Sequence, residues 1–187
     1  MSDKTMNFDS LVAVIEQTHK HFQQQAVKAV NVSLTVRNYL IGFYIVEFEQ
    51  NGEDRAAYGE KLLQRIADRI AIGGLSKTNL KLSRQFYKTY PEIGAVLQSS
   101  FINLLPSSIG QIVTDQFQAS KNKIITIGQM PSDDFKYDSN SLETDKYFQH
   151  ILERISFSHF IELIKIEDKT KRTFYELLIL KTTPSVT

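Results

Sequence analysis

The chain has 187 residues, of which 42% are hydrophobic and 23% charged, and these ordinary globular proportions argue against a chain that is disordered throughout. The absence of cysteine excludes disulfides and zinc–thiolate sites and predicts a reducing compartment. A net charge of +1 argues against a protein that coats nucleic acid indiscriminately, and we find neither a signal peptide nor an apolar run near the roughly 20 residues of a membrane span. We therefore expect a cytoplasmic protein without membrane contact, forming a single domain over residues 1–187.

The N-terminal part of the chain predicts two helices. Over residues 8 to about 27, apolar side chains recur at helical spacing, which predicts one buried stripe formed by Leu11, Val14, Ile15, Thr18 and Phe22. A second helical run, residues 31 to about 49, is apolar on most faces, as expected of a central helix packed on several sides. Its β-branched and aromatic residues leave a strand open as the alternative over residues 43–48.

Two further helices follow, joined by a short turn. The third helix, residues 55 to about 72, ends at Gly73-Gly74, a signal for a left-handed C-cap. Ser76 can cap the fourth helix, residues 77–90, which Pro91 terminates. Two helices joined by a few residues that include glycine form a helix-turn-helix arrangement, so we predict a helix-turn-helix-like unit over residues 55–90.

The rest of the chain predicts an excursion and then further helices. Prolines and glycines interrupt residues 92–143, which we interpret as an insertion or partly ordered excursion that allows one short strand or β-hairpin over residues 123–127. Helical periodicity returns at Thr144. The last helix, residues 169–181, is expected to bury Phe174, Leu177, Leu178 and Leu180 or the neighbours of Lys181. The predicted fold class is therefore all-α.

The fourth helix has the strongest functional signal. It contains no acidic residue, and four basic residues share one face at positions i, i+4, i+7 and i+11, namely Lys77, Lys81, Arg84 and Lys88. Asn79 and Gln85 add side chains able to bond to phosphates or base edges. A basic front and an apolar back are what a recognition helix needs, so these six residues are the candidate nucleic-acid-binding residues. The alternative interpretation is a solvated helix face.

No catalytic constellation accompanies this helix. Glu167-Asp168-Lys169 matches the E-x-K half of a PD-(D/E)XK nuclease site, but it lies between two helical patterns and is better explained as a charged turn. His19 and His21 point to different faces of a helix and cannot jointly bind a metal, and the chain lacks a Gly-rich phosphate loop. We therefore predict that this chain is not itself an enzyme and has no catalytic residue, metal site or cofactor.

Three stretches, which together cover roughly half of the chain in the family's order, resemble the N-terminal domain of the YhcG-like family, a domain of unknown function. The residues that match most distinctively are Arg37-Asn38-Tyr39-Leu40-Ile41-Gly42, Arg84-Gln85-Phe86-Tyr87, Phe157-Ser158-His159-Phe160 and Arg172-Thr173-Phe174-Tyr175-Glu176. Family members tend to have tryptophan where this chain has Tyr39 and Phe157, so an aromatic residue is kept at both places.

The resemblance implies a function. In that family a PD-(D/E)XK nuclease domain typically follows, and the N-terminal domain is expected to bind DNA. We therefore expect the chain to be the N-terminal part of a longer bacterial nuclease-type protein, with DNA and a C-terminal nuclease domain as its partners.

The alternative class is a protein–protein interaction module, forming a homodimer or docking a nuclease or restriction partner. The aromatic-rich segments at residues 157–160 and at Phe174-Tyr175 could supply such a surface. The two functions predict different surroundings for the fourth helix. A DNA-binding module keeps the basic face exposed and unpaired, whereas an interaction module buries it or neutralises it with acidic residues from the segment 133–153.

Overall fold

The computed structural model describes residues 7–51, 55–97 and 139–182, together with the single residue Asp115. These residues form helices and no strand, which confirms the all-α fold class. The helices are α1 (Phe8–Asn51), α2 (Arg55–Ile70), α3 (Lys77–Thr89), α4 (Ile93–Val96), α5 (Ser139–Arg154), α6 (Phe157–Leu163) and α7 (Lys169–Thr182). The predicted strand over residues 123–127 lies outside the described residues.

The first helix is a single rod where the sequence predicts two helices. Helix α1 runs without interruption for 44 residues, which corresponds to a length of about 66 Å at 1.5 Å per residue. Neither glycine nor proline separates the two predicted segments, so the backbone hydrogen bonding continues across them. The helical backbone also excludes the alternative strand at residues 43–48.

The two halves of α1 have different surroundings. Its N-terminal half is exposed, with Ile15 at 58% and Phe22 at 67%, so the prediction of a buried stripe there is wrong. No other described helix covers that half. By length and composition α1 could cross a membrane, but core helices pass the same test, and 56% of its most apolar 18-residue window is buried within the molecule.

The C-terminal half of α1 is the central helix of the core, as predicted. Tyr39 and Phe43 are fully buried, and the Tyr39 ring meets the Phe86 ring of α3 edge-on, with 5.5 Å between centroids. Phe86 in turn lies 4.6 Å from Phe160 of α6, centroid to centroid. Helices α4 and α5 complete this core with Ile93, Val96, Leu97, Phe148, Ile151, Leu152 and Ile155.

The backbones of helices α1 and α3 approach each other closely at Gly42. A Cβ atom at this position would collide with the carbonyl oxygen of Ser83 and lie 3.0 Å from the Cβ of Tyr87. Ser83 is itself buried. The missing side chain of Gly42 therefore allows the two helices to cross in direct contact.

Helix α2 packs on the outer side of this crossing. Leu63 of α2 forms a small apolar cluster with Ile45 of α1 and Leu80 of α3. The connection between α2 and α3 places Ala71 and Gly74 at φ of 48° and 86°, the left-handed conformation that ends a helix. Because α3 packs chiefly against α1 and less against α2, the helix-turn-helix-like unit stays a prediction.

The last helix contradicts most of the expected burial, although Leu180 is partly buried against the core. Phe174, Leu177 and Leu178 of α7 are exposed, at 61%, 45% and 43%, and Glu176 is the buried residue, at 3%. The helix begins where Asp168 caps it, since the carboxylate accepts a hydrogen bond of 2.7 Å from the backbone N–H of Lys171. The charged segment 167–169 is therefore a helix-capping turn, as predicted. Lys169 forms an ion pair of 3.2 Å with Glu92.

Candidate nucleic-acid interface

Three of the four predicted cations lie together on the outer face of α3. Lys77, Lys81 and Lys88 are exposed, and within the described part of the chain no carboxylate lies within 4 Å of their ammonium groups. They share one helical face over about 16 Å, the rise of eleven residues. Leu80 and Phe86 of the same helix are buried against α1, α2 and α6, so the orientation of the lysines is fixed by the core.

The fourth cation, Arg84, is already paired. Its Nε donates to Oε2 of Glu49 on α1 at 2.8 Å, and both side chains are partly buried. The pair therefore joins α1 to α3 beside their crossing. An ion pair of this exposure typically contributes about 0–1 kcal/mol, so it positions the guanidinium more than it stabilises the fold.

The two predicted base-contacting residues also have bonds within the molecule. The side-chain amide N–H of Asn79 donates to the carbonyl of Gly74 at 2.9 Å, which closes the turn before α3. The amide N–H of Gln85 donates at 2.9 Å to the carbonyl of Ile164, the residue that ends α6. Both side chains therefore have structural contacts that sequence spacing alone does not predict.

One acidic residue of the segment 133–153, which could neutralise α3, has another partner. Glu153, at the end of α5, forms an ion pair with Lys28 of α1, with 2.9 Å between Oε2 and Nζ. The hydrogen bond from Lys28, partly opposed by burial, lowers the pKa of the Glu153 carboxyl. Within the described residues of α5, no carboxylate lies within 4 Å of an α3 lysine. The basic face therefore stays open to solvent on this side.

A buried polar cluster holds α7 against the core, and the sequence did not reveal it. Glu176 accepts hydrogen bonds from the hydroxyls of Tyr90 at 2.7 Å and Tyr147 at 2.8 Å. The Nε of Arg172 lies 3.8 Å from Glu176, and its guanidinium stands 5.3 Å from the centroid of the Tyr90 ring. Burial, strengthened by the bond to Glu176, raises the pKa of both tyrosines well above its usual range. The sequence signals at this place were the i, i+4 spacing of Arg172 and Glu176 and the family resemblance of residues 172–176.

The potential metal ligands in the described part of the chain are its histidine and acidic side chains. No group of three or more histidine or acidic side chains suitable for a metal ion occurs among the described residues. The geometry instead presents a row of cations on a rigid helix. Such a row can bind a polyanion through its phosphates.

Comparison with known proteins is in accord with the sequence resemblance. Residues 14–120, more than half of the chain, match the family described as the DUF1016 N-terminal domain, and the chain belongs to this family. A 100-residue stretch is 35% identical to a protein of Escherichia coli strain K12 named "Putative nuclease YhcG". The stretch covers 52% of this chain and only 26% of that relative. No solved structure matches the chain.

Proposed function

We propose that this chain is a non-catalytic DNA-binding module of a YhcG-like PD-(D/E)XK nuclease in the cytoplasm, with α2 and α3 as a helix-turn-helix-like unit. The observation that carries the proposal is the outer face of α3. There Lys77, Lys81 and Lys88 are exposed and unpaired in the described structure on a helix without acidic residues. This is the arrangement expected of a DNA-binding module rather than of an interaction module that buries its basic face.

The lysines act as phosphate contacts in this proposal. A lysine ammonium is a compact charge that binds phosphate oxygens without reading sequence, so affinity and salt dependence depend on these three residues. Arg84 joins the interface by exchanging the Glu49 carboxylate for a phosphate. Asn79 and Gln85 contact bases only by exchanging their bonds to Gly74 and Ile164.

The test is fluorescence-anisotropy binding to duplex and branched DNA across a salt series. The variant Lys77→Ala/Lys81→Ala/Lys88→Ala is expected to lower the salt slope of log K by about 2–3, since each phosphate contact contributes about 0.9. The matched control is Lys20→Ala/Lys171→Ala/Lys181→Ala, which removes the same charge from exposed positions on α1 and α7. Equal losses in both variants would indicate a nonspecific effect of net charge and defeat the proposal, as would a wild type that binds no DNA at low salt.

The role of the nuclease is part of the same proposal. The relative in Escherichia coli is named for nuclease activity, and this chain covers about a quarter of it. We therefore assign the chemistry to a C-terminal PD-(D/E)XK domain of the full-length protein. The domain described here binds DNA on behalf of that partner.

A protein–protein interaction module is the second candidate, and the outer face of α7 favours it. Phe174, Tyr175, Leu177 and Leu178 are exposed on a helix whose fully buried residue is Glu176. Apolar and aromatic surface of this kind suits the docking of a nuclease or restriction partner. If the wild type binds no DNA, and the full-length protein loses contact with its nuclease domain when Phe174 and Leu178 are replaced by serine, this second function replaces the first.

A further inference from the structure

The unpartnered half of α1 has a continuous coiled-coil seam. Apolar or small residues recur at alternating intervals of three and four along the helix, with Thr18 and Gln25 as the polar members: Phe8, Leu11, Ile15, Thr18, Phe22, Gln25, Ala29, Val32, Val36, Tyr39 and Phe43. The last four are buried in the core of the domain. The seam that packs the C-terminal half of α1 therefore continues, uncovered, along its N-terminal half.

The exposure of this half is large for a helix of a globular domain. Phe8 is 76% exposed, Ile15 58% and Phe22 67%, and all three occupy the same heptad position. Val12 and Val14 flank the seam and are also exposed, which widens the apolar surface. A helix that is apolar along one side and uncovered for this length presents a surface for another helix.

We propose that the uncovered half of α1 pairs antiparallel with the same segment of a second copy of this chain. This inference does not depend on DNA binding, because the seam and the α3 lysines are separate surfaces.

The residues on both sides of the seam allow the seams of two copies to pair. The positions beside it carry no carboxylate between residues 8 and 26, and they hold Val12, Val14, His19, His21 and Ala26. The one flanking cation, Lys28, is paired with Glu153 of its own chain at 2.9 Å. A two-fold interface brings the same patch of both copies together. Because the residues beside the seam carry no strong like charges, the two copies do not repel each other there.

The body of the domain determines the orientation. From Val32 onward the seam is covered by helices of the same chain, and the ion pair between Lys28 and Glu153 marks the edge of that body. If the two helices were parallel, the covered C-terminal parts of both seams would face each other, and the helices that cover them in the two chains would occupy the same space. In an antiparallel pair each body lies beyond the N-terminal end of the partner helix.

An antiparallel overlap of residues 8–25 fits the uncovered length of the seam. It spans about 27 Å and aligns Leu11 with Phe22 of the second copy and Ile15 with Thr18, the alternation of heptad layers that antiparallel coiled coils use.

Sedimentation velocity over protein concentrations from about 1 to 200 μM, the range in which short interfaces associate, tests the pairing. The wild type is expected to reach twice the monomer mass as concentration rises. The variant Ile15→Asp/Phe22→Asp is expected to stay monomeric. The matched control Gln17→Asp/Gln23→Asp adds the same two charges to exposed positions of the same helix outside the seam and is expected to dimerise like the wild type.

Both variants alter exposed residues, so equal thermal unfolding of all three proteins, measured at a concentration where the wild type is monomeric, shows that the fold is kept. A wild type that stays monomeric throughout, or an unchanged dimer in Ile15→Asp/Phe22→Asp, overturns the proposal. A monomer that binds neutral phosphatidylcholine vesicles through Ile15 and Phe22 also overturns it, in favour of a lipid surface.

Single cysteines test the orientation, since the chain has none of its own. Thr18→Cys lies near the middle of the overlap and is expected to form disulfide-linked dimers under mild oxidation. Gln25→Cys lies at the end of the overlap, about 25 Å from its counterpart in an antiparallel pair, and is expected to stay unlinked. Linkage of Gln25→Cys as efficient as that of Thr18→Cys shows a parallel pair and overturns the antiparallel assignment.

Discussion

Helices α3 and α7 differ in the kind of side chain that they bury most completely. Helix α3 buries Leu80 and Phe86 and exposes its lysines. Helix α7 buries Glu176 and exposes Phe174 and Leu178. Periodicity shows which residues share a face, but whether that face is buried depends on the partners that the rest of the fold supplies.

The difference in buried residues follows from the side chains against which each helix packs. Helix α3 lies against an apolar surface of α1, where Gly42 permits close approach and rings pack on rings. Helix α7 meets two tyrosine hydroxyls, on Tyr90 and Tyr147, which a carboxylate can satisfy and a leucine cannot. A buried charge is tolerated when it is paired and hydrogen-bonded, and Glu176 meets both conditions through Arg172 and the tyrosines.

The largest expected effect is the loss of the polar cluster. Glu176→Ala leaves two buried hydroxyls and the Arg172 guanidinium without their acceptor, and we expect the free energy of unfolding to fall by about 3–5 kcal/mol. Chemical denaturation measures this loss. Glu162→Ala, which removes an exposed partner of Lys165, is the control and should cost less than about 1 kcal/mol. Equal and small effects in both variants would mean that the cluster does not hold α7 in place.

The second-largest loss of stability is expected where α3 packs against α1. Gly42→Ala adds a methyl group that collides with the Ser83 carbonyl, so the helices must separate, and a destabilisation of about 2–3 kcal/mol is expected from overpacking. The same substitution at Gly73, where a Cβ meets nothing within 4 Å, should change stability by less than about 0.5 kcal/mol. Thermal unfolding of the two variants checks the difference. A tolerated Gly42→Ala would show that the crossing is looser than described.

The stability of the protein at alkaline pH tests the polar cluster around Glu176. The pKa of Tyr90 is raised by burial and by its bond to Glu176, so the folded state holds this proton more tightly than the unfolded chain. Its contribution to stability is fully present below about pH 10 and is lost as pH rises above that value, with a slope of about 1.4 kcal/mol per pH unit for one proton.

Tyr90→Phe should reduce this alkaline slope by about one proton relative to the wild type. The pKa of Tyr39 is also raised by burial, and this residue is common to both proteins, so the difference isolates Tyr90. Denaturation between pH 9 and 11, the range around the ordinary tyrosine value, gives the measurement. If the free energy of unfolding of the wild type and of Tyr90→Phe falls with the same slope over this range, the described bond between Tyr90 and Glu176 is wrong.

The smallest effect is expected on the outer face of α7. Phe174→Ser replaces a side chain that is 61% exposed, and the free energy of unfolding should change by no more than about 0.5 kcal/mol. Phe86→Ala on α3, at 0% exposure, should cost about 3–5 kcal/mol. If Phe174→Ser strongly lowers the free energy of unfolding of the monomer, the Phe174 ring is covered and the described exposure of this face of α7 is wrong.

Local patterns predicted much of the fold. The spacing of apolar residues and the signals at Gly73-Gly74, Ser76 and Pro91 predict α2 and α3 to within two residues, because helix formation and capping depend on near neighbours. The all-α class and the central position of the C-terminal part of α1 follow from the same periodicity.

Contacts between distant residues were beyond prediction. Arg84 pairs with Glu49, 35 positions away, and Glu176 bonds to Tyr90, 86 positions away. No local rule links such pairs, so the basic face loses one predicted member and α7 acquires an unexpected buried residue. The exposure of Ile15 and Phe22 has the same origin, since periodicity identifies a stripe but not whether another helix covers it.

The continuity of α1 also has a consequence for backbone dynamics. One helix contains amides beside fully buried side chains such as Tyr39 and amides in a segment without described tertiary contacts. In the monomer, hydrogen exchange should therefore change steeply along a single unbroken helix, with fast exchange before Lys28 and slow exchange after Val32. The position of that change measures where local fraying gives way to cooperative opening of the whole domain.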